Sequence, residues 1–432
     1  KTMRLAQSCT GEYAAFFGAS TAGTPADQAL VLTAYNNTYT RCNGVFEKDL
    51  AIHFYLVAAT TNVIFYNPAT DPYATVTNPL APPASWNSSL QNTLTSLIGE
   101  ANYDIGHLFG ASGGGGSAGC IGCVCVDGIK GSGITSPATG SVSSSPAFPP
   151  AGDGFDIDYV AHEIGHQLGA NHTYSFQNEG TGTNMEVASG ITIMGYAGIT
   201  PFDVAPHSID IFHTVSIDQI QNNLSAKTCP VTTPLAGINA TPVVAAQGPY
   251  TIPVSTPFAL MGSASDANPG DVLTYCWEQF DNSPFSISGF SSIASPDKTQ
   301  GPNWLSFSPS ASPVRLFPQL STILSGGSVT GPLTGGDPGI NIEALSSVGR
   351  NLNFRLTVRD NAPFNSGTGS VGQTAFNNVL VTVSAAVGPF LITSQNAAVT
   401  YAGGSTQTVT WSVNGTTGAP TNTANVSISW ST

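Results

Sequence analysis

Apolar and polar positions along the chain follow two rhythms, one before and one after about residue 230. In the first part, helix-like and strand-like spacing alternate. Residues 4–6 (RLA) read as a short strand. Residues 25 to about 45 read as a helix, opened by Thr24 as N-cap and by Pro25, whose fixed φ suits the first helical position. Residues 51–58 (AIHFYLVA) form an apolar strand that residues 62–66 extend or pair with. Residues 85–100 place Leu90, Leu94 and Leu97 on one helical face. Residues 113–116 are a flexible Gly run beside a strand at 120–126, and residues 127–152, mostly Gly, Ser and Pro, read as loop. Residues 155–168 space Ile157, Val160, Ala161, Ile164 and Leu168 for burial on one helix, and 216–224 is a last short helix.

Beyond Pro230, short alternating runs recur between Gly, Pro, Asn and Ser turns, as at 273–277, 352–358, 379–383 and 408–413. This is the pattern of antiparallel sandwich domains. Val387-Gly388-Pro389 marks a second boundary. The expected division is 1–230, 231–386 and a partial third β domain at 387–432, short for a complete sandwich. No apolar stretch reaches about 18 residues, so no membrane-spanning helix is expected. The first residues lack an apolar signal core and read as a start left by processing or as the start of an expressed fragment.

Composition narrows the function. Eleven Lys and Arg stand against 25 Asp and Glu, a formal charge of −14, so there is no basic footprint for nucleic acid. Charged residues are only 8% of the chain and hydrophobic ones 41%, which excludes acidic disorder and leaves a surface of Ser, Thr, Asn, Gln and Gly. Six of the seven Cys precede residue 230, which suits a disulfide-bearing secreted domain. The odd count leaves at least one thiol unpaired within the chain. Cys120, Cys123 and Cys125 resemble half a zinc cluster, but no second half with the right spacing follows.

The chemistry concentrates at residues 162–172, His-Glu-Ile-Gly-His-Gln-Leu-Gly-Ala-Asn-His. His162 and His166, four residues apart, project about 40° apart from one helix face and can share one metal ion. Glu163 is placed to act on water at that ion rather than to ligate it. Gly169 ends the helix, where a left-handed conformation costs Gly little, and the chain turns back to deliver His172 as third ligand. Three neutral imidazoles leave a position open, the mark of a catalytic zinc. Two satisfied surface histidines on a helix would be the bland alternative, and five specified residues in eleven argue against it. Met194 lies 22 residues beyond His172, within Ile-Thr-Ile-Met-Gly-Tyr.

H-E-x-x-H-x-x-G-x-x-H followed by such a Met is the metzincin signature, with the Met packing under the histidines in a Met-turn. The chain resembles reprolysin-like secreted bacterial metalloproteases. The resembling stretches are RLAQSCTGEY from Arg4, NGVFEKDLA from Asn43, ANYDIGHLF from Ala101, DGFDIDYVAHEIGH from Asp153 and FHTVSIDQI from Phe212. LTYCWEQ from Leu273, FRLTVRDN from Phe354 and GPFLITS from Gly388 are similar to the Ig-like modules that follow such domains. Two departures matter. Animal reprolysins usually carry Asp after the third His, where this chain has Thr173, and no Cys falls between His172 and Met194.

The resemblance implies a multidomain chain. An α/β metzincin catalytic domain, with a mixed twisted sheet, helices, active-site helix and Met-turn, precedes all-β Ig-like sandwich modules. It implies a secreted zinc metalloendopeptidase acting on protein or peptide substrates, with His162, His166 and His172 on zinc and Glu163 as general base. Tyr196 matches a Tyr that ligates zinc or stabilises the oxyanion in astacin-like and serralysin-like relatives. Glu12 and Asp104 match acidic calcium positions, with Asn222 and Asn223 as further candidates. Family topology suggests that Cys229 returns to the 120–125 cluster. Cys9–Cys42 is a candidate strand-to-helix bridge, and Cys276, within a strand pattern, a buried free thiol.

Asp153, Asp156 and Asp158 suit helix capping at the start of the active-site helix, with calcium binding as the sharper alternative. The remaining histidines lack ligand spacing and read as structural. The acidic stretches 265–271 and 359–361 resemble calcium loops of cadherin-like and PKD-like modules, and Asx turns are the favoured, blander reading. The sandwich could bind matrix, glycan or a bacterial surface, or act as a spacer. The competing classes are an adhesion protein with a vestigial protease domain and a zinc enzyme acting on something other than protein.

Overall fold

A computed structural model of the chain describes residues 1–77, 81–112, 114–136, 149–397 and 399–426. The remaining positions, including Gly113 of the expected glycine run, the serine-rich stretch 137–148 and the end of the expected third domain, lie outside the described residues.

The N-terminal half is built on β1 (Thr2–Cys9), which pairs in parallel with β2 (His53–Leu56) on one side and β3 (Ile105–Phe109) on the other. The edge strand β4 (Gly115–Ser117) runs antiparallel to β5 (Gly133–Ser136), giving the order β2-β1-β3-β5-β4. The period of two sorts side chains between two cores. Met3, Leu5 and Cys9 join Ile105 and Phe109 under the long helix Pro25–Leu50, while Ala6, Leu108 and Ile134 face Trp86, Leu90 and Leu94 of the helix Ser85–Leu97. The long helix opens as expected. Thr24 and Asp27 form a reciprocal capping box, and the helix runs on to a left-handed Ala51.

Four local expectations are corrected. Of 51–58 only His53–Leu56 is strand; Ala58–Val63 coils into a 3-10 turn that brings Ile64 beside Cys9. Residues 120–126 are not strand. Disulfides Cys120–Cys123 and Cys125–Cys229 fold them into turns, with positive φ at Gly119, Gly122 and Cys125. The expected loop 127–152 contains β5, whose Gly-Ile-Thr-Ser lacks the apolar alternation that would betray it. Leu97 is half-exposed because its helix ends there; Ile98 tucks in instead, its N–H on the Leu94 carbonyl.

The C-terminal half is sheet-rich. Strands Thr274–Gln279, Arg350–Arg359, Thr374–Ser384 and Tyr250–Pro253 make a four-stranded sheet, faced by the pair Phe258–Met261 and Val314–Phe317 across a core of Trp277, Trp304, Phe317 and Phe354. Further two-stranded pairs complete it, including Leu391–Ile392 with Trp411–Ser412. This half is no loosely tethered spacer. Val187, Ile191 and Val204 share one buried cluster with Leu305, Ile340 and Ile342, so the two halves meet through a common core. No helix among the described residues is long and apolar enough to cross a membrane.

Candidate metal centre

The active-site helix is continuous: a turn Asp153–Phe155, a π-helical turn Asp156–Ala161 and the α-helix His162–Leu168. Its buried side holds the expected Ile157, Val160, Ala161, Ile164 and Leu168. Gly169 (φ 123°) stops it, and a Cβ there would lie 2.9 Å from Asn223 Cβ. The reversed chain returns His172. The Nε2 atoms of His162 and His166 stand 3.1 Å apart, and those of His166 and His172 3.0 Å.

Each imidazole is oriented from behind. His162 Nδ1 donates to the Ile193 carbonyl (2.6 Å) and His166 Nδ1 to the Ala170 carbonyl (2.7 Å). His172 Nδ1 meets Glu179 (2.9 Å) and the Tyr174 hydroxyl (3.0 Å). With the protons on Nδ1, three Nε2 lone pairs face one another at a spacing that a shared cation would relieve. Tetrahedral zinc with Zn–N near 2.1 Å sets neighbouring nitrogens about 3.4 Å apart, so the donor set fits zinc. Burial also favours the neutral, ligating form, holding His162 well below the usual imidazole range and lowering His166 to about 4.

The floor is Met194, fully buried. A Cβ on Gly165 would lie 2.6 Å from its Sδ and 3.0 Å from Phe212, so only Gly at the centre of the motif lets the helix settle this closely. Thr173, the departure from the animal pattern, donates its hydroxyl to buried Glu186, which also accepts the Ile191 and Thr192 N–H groups (2.9 and 3.1 Å). Glu186 thus ties the chain just after His172 to the segment that carries Met194. The Tyr196 ring stands 4.6 Å from that of His172 and 5.4 Å from that of His162, and burial pushes its phenol above the usual range.

Glu163 is buried beside the triad, and burial pushes its carboxyl up to about 8 against an opposing N–H from Ala118. The edge strand β4 passes directly over it. A Cβ on Gly116 would fall 2.3 Å from Glu163 Oε1. Gly116, Gly165, Tyr174, Glu179 and Glu186 were not singled out in sequence; the two glycines sit beside or inside recognised motifs, but the contacts that matter are tertiary.

Other expectations separate. Glu12 and Asp104 do not come together. Asp104 starts β3 level with Arg4, which takes both its oxygens (Nη2–Oδ1 2.7 Å, N–Oδ2 2.8 Å), while Glu12 follows Cys9 at the opposite end of β1. A guanidinium already neutralises Asp104, and five strand residues, some 16 Å, lie between the two ends. The structure therefore does not gather Glu12 and Asp104 at one site. Asn223 instead donates to the Leu168 and Gly122 carbonyls, while the Asn222 carbonyl accepts from Ser225. Asp153 pairs with Arg41, Asp158 with His207, and Asp156 turns inward. Gly152, not a carboxylate, is the N-cap.

Cys229 does return to the cluster, on Cys125. Cys9 and Cys42 are not bridged: Cys9 Sγ faces the Phe65 carbonyl and Cys42 Sγ the Asp156 carbonyl. Cys276 is a buried free thiol. His107 is buried on Gln167 and Thr135, His53 pairs with Glu47, and His213 caps the helix Thr214–Ser225. Asp266, Asp271 and Asp360 bring carboxylate oxygens within 4.8 Å of one another; Asp266 makes the Asx turn to the Asn268 N–H, and Asp360 accepts Ala362 and Gln373 N–H groups.

A family model described as metallopeptidase family M12B, reprolysin-like, matches residues 1–224. No curated protein and no solved structure matches the chain.

Proposed function

The chain belongs to the reprolysin-like M12B metallopeptidases, and from that premise we propose that it is a secreted zinc metalloendopeptidase hydrolysing peptide bonds with Glu163 as general base. The observation that carries this reading is the convergence of three Nε2 atoms beside one buried carboxylate. A zinc ion held by His162, His166 and His172 would supply Lewis acidity, bringing water toward a pKa of about 7 and polarising the scissile carbonyl. Glu163 takes a proton from the attacking water and returns it to the leaving amine. Met194 and Phe212, packed against Gly165, keep the helix that carries both groups at a fixed height.

Among the described residues no strand pairs with the outer edge of β4, so an extended peptide can add to it as a further strand above Glu163. Gly116 leaves the space for the carboxylate to work beneath. Tyr196, beside His162 and His172, serves as zinc ligand or oxyanion donor. The two disulfides support an extracellular site of action.

The domain reading remains a catalytic unit over 1–230, an Ig-like β-sandwich at 231–386 and a partial third β domain at 387–432. The test is casein hydrolysis with and without chelator: activity lost to chelator and restored by zinc supports the reading, and chelator-insensitive cleavage or none at all contradicts it.

A further inference from the structure

We propose that the C-terminal half forms one wall of the substrate cleft, Phe285 and Phe290 receiving apolar side chains of an extended protein substrate. This rests on the peptidase reading above. Aromatic rings lead outward from the third histidine. His172 stacks on Tyr174 (4.8 Å between centroids), Tyr174 meets Phe176 (4.6 Å), Phe176 meets Phe202 (6.1 Å), and Phe202 meets Phe290 edge-on (5.1 Å). Tyr174 is buried, Phe176 and Phe202 are half-buried, and Phe290 is 75% exposed. An extended peptide, at about 3.3 Å per residue, covers that path in about six residues.

Phe285, 73% exposed, lies on the same loop and packs its ring edge over Gly180, where a Cβ would stand 2.7 Å from Cζ. Leaving two large rings in water on one short loop is unfavourable unless something covers them. The loop is also held in place. Ser283 N–H donates to the Asn184 carbonyl (2.8 Å), Asn184 N–H to Asn282 Oδ1 (3.0 Å), and Gly289 N–H to the Phe176 carbonyl (2.8 Å). Asn178 also donates to the Ser283 carbonyl. These anchors join the loop to residues 176–184, the segment just beyond His172. The rings are therefore pre-positioned relative to the histidines, which lowers the ordering cost of binding. Continuity with the metal centre selects the occupant: the same polypeptide that reaches His172, rather than a separate partner.

The test compares the full chain with F285S/F290S on two substrates, a quenched peptide of four residues about the scissile bond and peptides extended by six residues on either side with apolar positions. The expected result is a loss of about ten-fold in kcat/KM, through KM, on one extended series, with the short peptide unchanged. F290W, which keeps a ring, should retain most of the advantage of the long substrate. An unaltered Tm for each variant accompanies this, since both side chains are exposed. A double variant with the wild-type ratio of long to short cleavage, or with both reduced equally, overturns the inference alone. A wild-type chain that cleaves neither peptide overturns the peptidase reading and this inference with it.

Discussion

Asp49 and Arg359, 310 residues apart, form an ion pair with both side chains fully enclosed (Nε–Oδ1 2.7 Å, Nη2–Oδ2 3.0 Å). Asp49 Oδ2 also accepts the Phe212 N–H at 2.7 Å, and Phe212 packs against Gly165 in the zinc-motif helix. The C-terminal sheet is thus linked, through one carboxylate, to the floor beneath the histidines. Removing one partner of a buried pair leaves an uncompensated charge, a loss of ~3–5 kcal/mol. Arg359→Met should lower unfolding free energy by that order in denaturant titration, and an Asp49→Asn, Arg359→Met double variant should lose less than the two single losses combined. Strict additivity would contradict the coupling.

Gly116→Val should abolish cleavage at a cost of about 1–3 kcal/mol in stability, short of unfolding the chain. Its Cβ would enter the space of Glu163 Oε1, whereas Gly44→Ala, in the long helix with nothing within 4 Å, should be silent in activity and add about 0.5–1 kcal/mol of stability. Thermal melts and casein assays on the pair check this. Full activity in Gly116→Val would remove the strand from above the carboxylate.

Asp156 is buried, one carboxylate oxygen has no partner among the described residues, and burial pushes its carboxyl up to about 6. The folded chain therefore holds this proton more tightly than the unfolded one. The contribution is full below pH about 4 and is lost as pH rises through 6, by on the order of 3 kcal/mol at most. Asp156→Asn cannot titrate there. Its stability relative to wild type should rise between pH 4 and pH 7.5, read as a widening Tm gap; a constant gap contradicts the assignment.

Tyr196→Phe should lower kcat about ten-fold or more with KM little changed if its hydroxyl acts only on the developing oxyanion. An unchanged kcat would reduce Tyr196 to a wall of the pocket.

The parts legible in sequence are those fixed by local periodicity. Four-residue spacing put His162 and His166 on one helix face, Gly169 stopped that helix, and Thr24 opened the long one. What escaped depends on which distant segments meet. Glu12 and Asp104 match acidic positions of the family the chain resembles, but nothing local says they sit at opposite ends of β1. β5 is a fully buried strand of Gly, Ile, Thr and Ser, so it carries no alternation to read. Gly116 and Gly165 act through atoms they lack, visible only once Glu163 and Met194 are beside them. Arg359 ends a strand, and nothing in its neighbourhood along the chain points to Asp49, 310 residues away, as its partner.

The most direct measurement is zinc content together with casein cleavage for wild type and Glu163→Gln. The expected result is one zinc per chain in both, with cleavage reduced about a thousand-fold or more in the variant. Glu163→Gln cleaving at the wild-type rate, or a zinc-loaded wild type that cleaves nothing, would contradict the account.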